Sequence, residues 1–321
     1  MNKTRHKVFI TGSTGFIGRA LVSRLIALQC FDVLAISRKK PMPVVHGIQY
    51  MQIRDLAADT DWRVGLLDVD IVVHVAARVH VMNDTEVDPL GEFRRINVDG
   101  TLNLARQAAL AGVSRFIFIS SIGVNGFKSL IGKAYSETDK PNPYNAYALS
   151  KWEAEQSLMQ IAAETGLEVV IIRPPLVYGC NAPGNFGALM RAVRRSWPLP
   201  LGAVHNQRSL VALDNLVDLI ITCITHPHAA NQTFLVSDGQ DLSTTELVRS
   251  MARAAGVSTR LLPIPVWALQ AAGTLLGKGD AVQRLCGNLQ VDISKSRRLL
   301  GWVPPVTTLE GLRRAMVGSE A

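Results

Sequence analysis

The chain has 321 residues, of which 48% are hydrophobic and 19% charged, and its formal charge is +8. That length and balance describe a folded protein with one large domain and a smaller appendage, and they exclude a disordered chain. Lys and Arg are scattered apart from Arg38-Lys39-Lys40 and Arg297-Arg298, with no basic run interleaved with aromatics. The charge therefore points away from nucleic acid, and toward either an anionic small substrate or a plain basic surface.

Polar residues Met1 to His6 lead straight into Val8-Phe9-Ile10, an apolar strand pattern, with no signal peptide visible before it. Next comes Thr11-Gly12-Ser13-Thr14-Gly15-Phe16-Ile17-Gly18, and then a run from Arg19 to Leu28 with apolar residues at helical spacing. A glycine-rich turn between a strand and a helix gathers backbone N–H groups and the positive helix end onto one point, where a pyrophosphate can bind. The spacing is T-G-x-x-G-x-x-G rather than G-x-G-x-x-G.

Short β-branched runs then alternate with helical patterns. Strands are expected at Val8–Thr11, Val33–Ser37, Tyr50–Ile53, Ile71–Val75, Phe116–Ser120 and Val169–Arg173, and helices at Phe16–Leu28, Phe93–Ala111 and Tyr144–Thr165. Such alternation implies an α/β fold, a Rossmann-like doubly wound parallel sheet covered on both faces. Ligands of such sheets bind beyond the carboxyl ends of the strands. That edge carries Gly12–Gly18, Ser37-Arg38, Asp55, Ala76-Ala77 and Ser120-Ser121.

After Arg173 the pattern loosens, punctuated by prolines. Arg208–Leu213 and Thr233–Ser237 read as strands again, and Ser243-Thr244-Thr245-Glu246 reads as a capping box opening a helix to about Ala255. Residues 1–175 form the expected dinucleotide-binding domain, with 206–237 returning to it. Residues 176–205 and 238–321 form a smaller C-terminal α/β substrate lobe. The apolar stretch from Ile264 to Leu276 is too short to span a bilayer, which takes about 20 residues. It reads as a buried helix, with contact at a membrane surface the lesser alternative. No C-x-x-C or other metal spacing joins Cys30, Cys180, Cys223 and Cys286, so no metal is expected. Cys30 and Cys223 read as core thiols, and a reducing cytoplasm fits.

Tyr147 and Lys151 stand four residues apart, on one face of a helix. A phenol with an ordinary pKa of about 10 is a poor base at neutral pH. A fixed ammonium nearby stabilises its phenolate, and such a pair can exchange a proton with an alcohol or carbonyl oxygen. Ser120-Ser121, ending a strand, offers a hydroxyl to orient that oxygen. Glycine turn, strand-end serine and Tyr/Lys pair occur in that order.

With these elements the chain resembles the extended short-chain dehydrogenase/reductase family, the nucleotide-sugar epimerases, dehydratases and reductases. The resemblance extends through Asp55-Leu56, His74-Val75-Ala76-Ala77, Asn97-Val98-Asp99-Gly100-Thr101, Arg173-Pro174-Pro175-Leu176-Val177-Tyr178-Gly179 and Leu300-Gly301-Trp302. It implies a catalytic tetrad of Asn97, Ser121, Tyr147 and Lys151. It implies a cofactor site built from Gly12, Thr14, Gly15, Phe16, Ile17, Gly18, Ser37, Arg38, Asp55, Leu56, Ala76, Ala77, Asn97, Tyr147, Lys151 and Pro174. It also implies a homodimer formed through Phe93–Ala111 and Tyr144–Thr165.

The cofactor follows from the end of the second strand. NAD sites usually place a carboxylate there for the ribose 2′-OH. Here Ser37 and Arg38 stand instead, which suits a 2′-phosphate and favours NADP(H). If Arg38 only stacks on adenine, NAD(H) is accepted. Of the family's reactions, 4,6-dehydration needs acid/base groups where this chain has Ile122 and Gly123. The missing acid and Asn125 favour NADPH-dependent 4-keto reduction of a UDP-4-keto-6-deoxy-N-acetylhexosamine. The chain is similar here to enzymes of bacterial O-antigen sugar synthesis. The alternative is a UDP-glucose or UDP-N-acetylglucosamine 4-epimerase with bound NAD; a non-catalytic NADP-binding regulator fits less well, since both Tyr147 and Lys151 are present. Expected substrate contacts are Ser121 for the reacting oxygen, Arg208 and, more loosely, Arg284 for the diphosphate, Asn185 and Phe186 for the uridine, and His80 for the sugar, where a structural histidine is equally consistent.

Overall fold

The computed structural model describes residues 5–39, 47–79, 88–277 and 279–318. The chain opens with β1 (His6–Thr11), the glycine turn, α1 (Phe16–Leu28), β2 (Phe31–Ser37), β3 (Ile48–Gln52) and β4 (Ile71–His74). It continues through α2 (Pro89–Arg94), a π-helical segment Arg95–Gly100, α3 (Thr101–Leu110), β5 (Arg115–Ile119), a 3-10 turn Ile122–Val124, α4 (Ala146–Thr165) and β6 (Glu168–Arg173). Next come β7 (Leu176–Tyr178), α5 (Gly184–Arg194), β8 (Pro198–Leu199), β9 (Leu210–Ala212), α6 (Leu213–Thr225) and β10 (Gln232–Leu235). The end of the chain holds α7 (Thr244–Ala255), β11 (Arg260–Leu261), α8 (Val266–Leu275), α9 (Gly279–Cys286), α10 (Ser294–Leu300) and α11 (Thr308–Val317).

The central sheet has seven parallel strands in the order β10-β6-β5-β4-β1-β2-β3. β1 lies between β2 and β4, with Val8 opposite both Val33 and Ile71. The order reverses beside β1, where open α/β sheets take their ligands. β4 and β5 are buried along their whole length, as strands covered on both faces must be. One core packs α1 and α6 against the sheet through Leu21, Leu25, Leu216 and Ile220. The other packs α3 and α4 through Leu104, Ala105, Leu158 and Ile161. A third core fills the lobe with Phe186, Met190, Val248, Met251 and Leu312.

Four elements depart from expectation. The helix expected at Phe93–Ala111 forms without a break from Pro89 to Leu110, but carries a π-helical segment at Arg95–Gly100 that apolar spacing does not reveal. β7 and β9 pair with each other in a small parallel sheet of their own. Cys30 is exposed, in the turn after α1, and is not a core thiol; all four cysteines are free. The helix in the Ile264–Leu276 stretch forms, but only Gly273 of α8 is buried, so the expected buried helix is corrected. The lobe's core is filled mainly by α5, α7 and α11; α8 packs on α9 and reaches that core only at its edge, through half-buried Val266 and Leu269.

Candidate active site

The glycine turn is shaped by close backbone approach. Gly12 has φ +68, and a Cβ there would lie 2.8 Å from the Ala76 backbone nitrogen. A Cβ on Gly18 would lie 2.1 Å from the Gly12 carbonyl oxygen. Neither position admits a side chain without moving the backbone. Gly15 caps α1 with no side chain accepting from the first-turn N–H groups, and no acid stands in that turn. The unclaimed N–H groups and the helix dipole make an anion seat, which fits a cofactor pyrophosphate. Ser13 Oγ donates to the Ile36 carbonyl at 2.8 Å and ties the turn to β2.

Beneath the turn lies a residue that the sequence reading quoted without assigning a role. His74 is fully buried at the end of β4, with Nδ1 2.8 Å from Thr11 Oγ1 and Nε2 2.9 Å from Thr101 Oγ1. Thr11 Oγ1 also accepts from the Ala76 N–H at 3.2 Å. Burial, with the Lys151 charge adding, pushes the imidazole down to about 3, so it is neutral at physiological pH. Strand-end Thr and His at paired register positions were the available signal, Thr11 standing opposite His74.

At the adenosine end, Ser37 Oγ donates to the Lys39 carbonyl at 2.6 Å, and Arg38 is exposed. The Asp55 carboxylate accepts from Leu56 N–H at 2.8 Å and pairs with Arg95 at 3.1 Å. Burial works against its charge, but the Arg95 guanidinium and the Leu56 N–H win and hold it below the usual carboxylate range. Leu56 touches the π-helical segment, where a Cβ on Gly100 would lie 2.9 Å from its carbonyl oxygen.

That segment also carries Asn97, which is 1% exposed. Its Oδ1 accepts from Arg78 N–H at 2.8 Å, and its Nδ2 donates to the Arg78 carbonyl at 3.0 Å and to Ser150 Oγ at 3.1 Å. Both amide hydrogens are thereby engaged. The side chain clamps the segment following β4 to α4, and Ser150 Oγ donates in turn to the Tyr147 carbonyl at 2.8 Å. The π turn is the device that points Asn97 inward.

Tyr147 and Lys151 occupy the first turns of α4, whose N-cap Asn145 accepts from Ala148 N–H at 2.8 Å. The Tyr147 ring meets Phe93 edge-on at 6.0 Å. Burial, with Tyr144 adding, pushes the phenol up to about 12. Lys151 is 1% exposed; Nζ donates to the Ile119 carbonyl at 2.8 Å and sits 4.3 Å from the Phe118 ring centroid. Burial pulls the ammonium down to about 7, against the opposing Glu155 carboxylate. Ser121 follows β5, and its Oγ accepts from Gly123 N–H at 3.1 Å. Gly123 packs against Ala148 and Tyr144, so the serine turn rests on the start of α4.

Behind Lys151 lies an ion pair absent from the sequence reading. Glu155 and Arg173 are both almost fully buried, with Arg173 Nη2 2.5 Å from Glu155 Oε2. Ser120 Oγ donates to the same carboxylate, and Arg173 Nη1 donates to Asn125 Oδ1 at 2.9 Å. Glu155 stands one helical turn beyond Lys151, which was the signal available. Pro174, next in chain, accepts from Ile122 N–H at 3.0 Å and fixes the serine turn from the other side.

The expected substrate contacts divide. Arg208 lies within electrostatic reach of Tyr144, and Nη1 donates to the Gly287 carbonyl at 3.0 Å and to the Arg284 carbonyl at 2.5 Å. Burial pulls its guanidinium below the ordinary range. Arg284 adjoins it, and its buried Nε has no hydrogen-bond partner among the described residues. The Arg208 guanidinium thus rests on the Arg284 main chain, while Arg284 Nε keeps donor capacity left over. Asn185 is exposed at the start of α5. Phe186 is corrected: its ring is buried in the lobe core, 5.6 Å from that of Tyr178, and does not present a face to a uridine. His80 lies outside the described residues. An open cavity of about 1060 Å³ runs from Thr14 and Gly15 along α1 to Arg313 and Arg314. Ser121, Tyr147 and Lys151 do not line it. Among the described residues no cluster of His, Cys, Asp or Glu could hold a metal, and no helix is long and apolar enough to cross a membrane.

The signature of the NAD dependent epimerase/dehydratase family matches residues 8–237. A UDP-glucose 4-epimerase of Vibrio cholerae is 47% identical over 313 residues, covering 97% of this chain and 95% of that protein. The N-acetyl-alpha-D-glucosaminyl-diphospho-ditrans,octacis-undecaprenol 4-epimerase of Escherichia coli O157:H7 is 26% identical, covering 96% and 94%. The fold is that of the Bacillus cereus UDP-glucuronic acid 4-epimerase solved with NAD, with a TM-score of 0.78 at 22% identity, covering 97% of this chain and 96% of that one. With the glycine turn, the Tyr/Lys pair and the family signature in one frame, the chain belongs to the NAD dependent epimerase/dehydratase family of enzymes.

Proposed function

We propose that this protein is a UDP-hexose 4-epimerase that retains NAD through its catalytic cycle. The observation that carries this choice is the 47% identity to the Vibrio cholerae UDP-glucose 4-epimerase along nearly the whole of both chains. It outweighs the 4-ketoreductase that the sequence favoured. The glycine turn Gly12–Gly18 would hold NAD, which would supply hydride exchange with C4 of the sugar.

The chain's own residues do the rest. Tyr147 takes the proton of the C4 hydroxyl and returns it to the same oxygen once C4 has been reduced from its other face. Taking a proton requires the phenolate, and a phenol pushed up to about 12 needs a cation to form it near neutrality. Lys151, one helical turn away, provides that cation and is buried, so its charge is poorly screened. Ser121 holds the reacting oxygen, while Arg208 and Arg284 grip the diphosphate and let the hexose turn between them and the cofactor. Asp55 receives the adenine. The enzyme works in the cytoplasm, where UDP-sugars and NAD are found, as a homodimer through α3 and α4.

Keto-reduction with NADPH remains a second reading, favoured by Arg38 and the absence of an acid at the end of β2. One experiment separates the two. Purified protein given UDP-glucose or UDP-N-acetylglucosamine without added cofactor should form the C4 epimer. If it makes no epimer, but consumes NADPH one-for-one with a UDP-4-keto-6-deoxy sugar, the reductase reading replaces this one. Tyr147→Phe should keep cofactor binding and lose about 10²–10⁴-fold in turnover.

A further inference from the structure

We propose that the far end of the substrate lobe docks on an anionic lipid bilayer through α8. Its ten residues, Val-Trp-Ala-Leu-Gln-Ala-Ala-Gly-Thr-Leu, carry no charge, yet only Gly273 is buried. Trp267 is 72% exposed, Leu275 86% and, just beyond the helix, Leu276 72%. A helix this apolar normally lies inside a core or a membrane. At about 15 Å long it cannot cross a hydrocarbon layer of about 30 Å, so it fits the interface instead.

The neighbouring segments extend the same character. The β8/β11 pair and the Gly202 N–H bond to the Leu262 carbonyl bring Trp197 and Leu262 together, both exposed. α9 packs on α8, and the Ser129 N–H bond to the Asn288 carbonyl brings in the loop carrying exposed Leu130 and Ile131. Tryptophan and leucine left in water beside cations are the residues that seat a protein at the headgroup level.

Charge selects the partner. Lys128, Lys133, Arg195 and Arg260 are exposed in these segments, and Arg195 lies over the Trp197 ring at 5.4 Å. Stretches 127–136, 195–202 and 247–279 contain no Asp or Glu. A second copy docking here would bring these cations against their own kind, which opposes association. An anionic bilayer offers both an apolar layer and the opposite charge. The surface is independent of the reaction assigned to the site, although the α9 end that supports Arg208 is part of it.

The test is flotation of the intact protein with vesicles of phosphatidylcholine, with or without about 30% phosphatidylglycerol. Binding should be at least about tenfold stronger to the anionic vesicles and should weaken in high salt. The triple variant Trp267→Ser/Leu275→Ser/Leu276→Ser should lose flotation while keeping sugar-nucleotide turnover. Lys128→Glu/Arg195→Glu/Arg260→Glu should lose the preference for anionic lipid. Failure of the intact protein to float would overturn the proposal. So would a triple variant that floats unchanged, or one whose only defect is a smaller oligomer by sedimentation, which would assign the patch to a second copy.

Discussion

At the scale of single residues the site carries buried charge at a cost to the fold, and Lys151 is the clearest case. Its ammonium has one carbonyl acceptor and one aromatic face, and burial pulls it from 10.5 down to about 7. Below about pH 7 both the folded and unfolded chains are protonated, and the fold bears the full penalty of a desolvated cation. Between about 7 and 10.5 the unfolded chain binds the extra proton, so stability rises with pH across that window. Above it neither form is charged and the penalty is gone. Lys151→Met in the cofactor-free protein should therefore gain stability relative to the parent at pH 6.5. That gain should shrink toward pH 10 by an amount on the order of 2–5 kcal/mol. Thermal melts at the two pH values read the difference. The lost bond to the Ile119 carbonyl lowers both melts alike and does not alter the slope. A pH-independent difference would show that the lysine titrates normally and that the neighbouring Glu155 carboxylate dominates. Glu155 itself, paired with Arg173, is a buried ion whose removal strands a guanidinium, a kind of change that typically costs about 3–5 kcal/mol.

At the scale of elements, the parts readable in sequence are those where period and chemistry coincide. The turn Gly12–Gly18 and helix Phe16–Leu28 were legible because the glycines, the strand before them and the helical spacing after them all demand one geometry. The capping box at Ser243 was legible because a local hydrogen-bond exchange determines it: Glu246 Oε2 accepts from Ser243 N–H at 2.8 Å. The π turn was not, since one extra residue within a helix leaves apolar spacing nearly unchanged while reorienting Asn97. Nor was the fate of α8, because an apolar run states what a helix avoids and not what covers it. Phe186 was misread for the same reason: its place in the lobe core depends on Tyr178, which comes from a different element. The turn makes a sharp prediction. Gly18→Ala places a methyl 2.1 Å from the Gly12 carbonyl oxygen. The backbone must move to admit it, at about 1–3 kcal/mol, and the phosphate seat moves with it. Cofactor affinity measured by fluorescence titration should fall at least about tenfold, more than thermal stability alone would suggest.

At the scale of the whole molecule, the question is how a lobe assembled from separate chain segments is held to the sheet. The join is polar and buried. Asp238, three residues past the end of β10, accepts from Ala212 N–H at 2.7 Å, Asn215 Nδ2 at 2.7 Å and Tyr178 Oη at 2.6 Å. Asn215 in turn bonds the Val306 backbone through both side-chain atoms, and Tyr178 Oη lies 3.2 Å from the Thr308 carbonyl. β7, β9, α6, the end of the sheet and the segment leading into α11 thus meet at one carboxylate. Burial pushes that carboxyl up, against its three hydrogen bonds. If the join is held by hydrogen bonds rather than by charge, the two obvious substitutions should differ. Tyr178→Phe leaves Asp238 Oδ2 buried without a donor and should cost about 1–3 kcal/mol, lowering the melting temperature by several degrees. In Asp238→Asn the amide oxygen can keep Ala212 and Asn215, its N–H₂ can donate to Tyr178, and Tyr178 can turn its own proton to Thr308. Each present partner stays bonded and the buried charge disappears, so the variant should lie within about 1 kcal/mol of the parent. A loss in Asp238→Asn as large as that in Tyr178→Phe would mean that the negative charge itself, and not the pattern of donors around it, holds the lobe to the sheet.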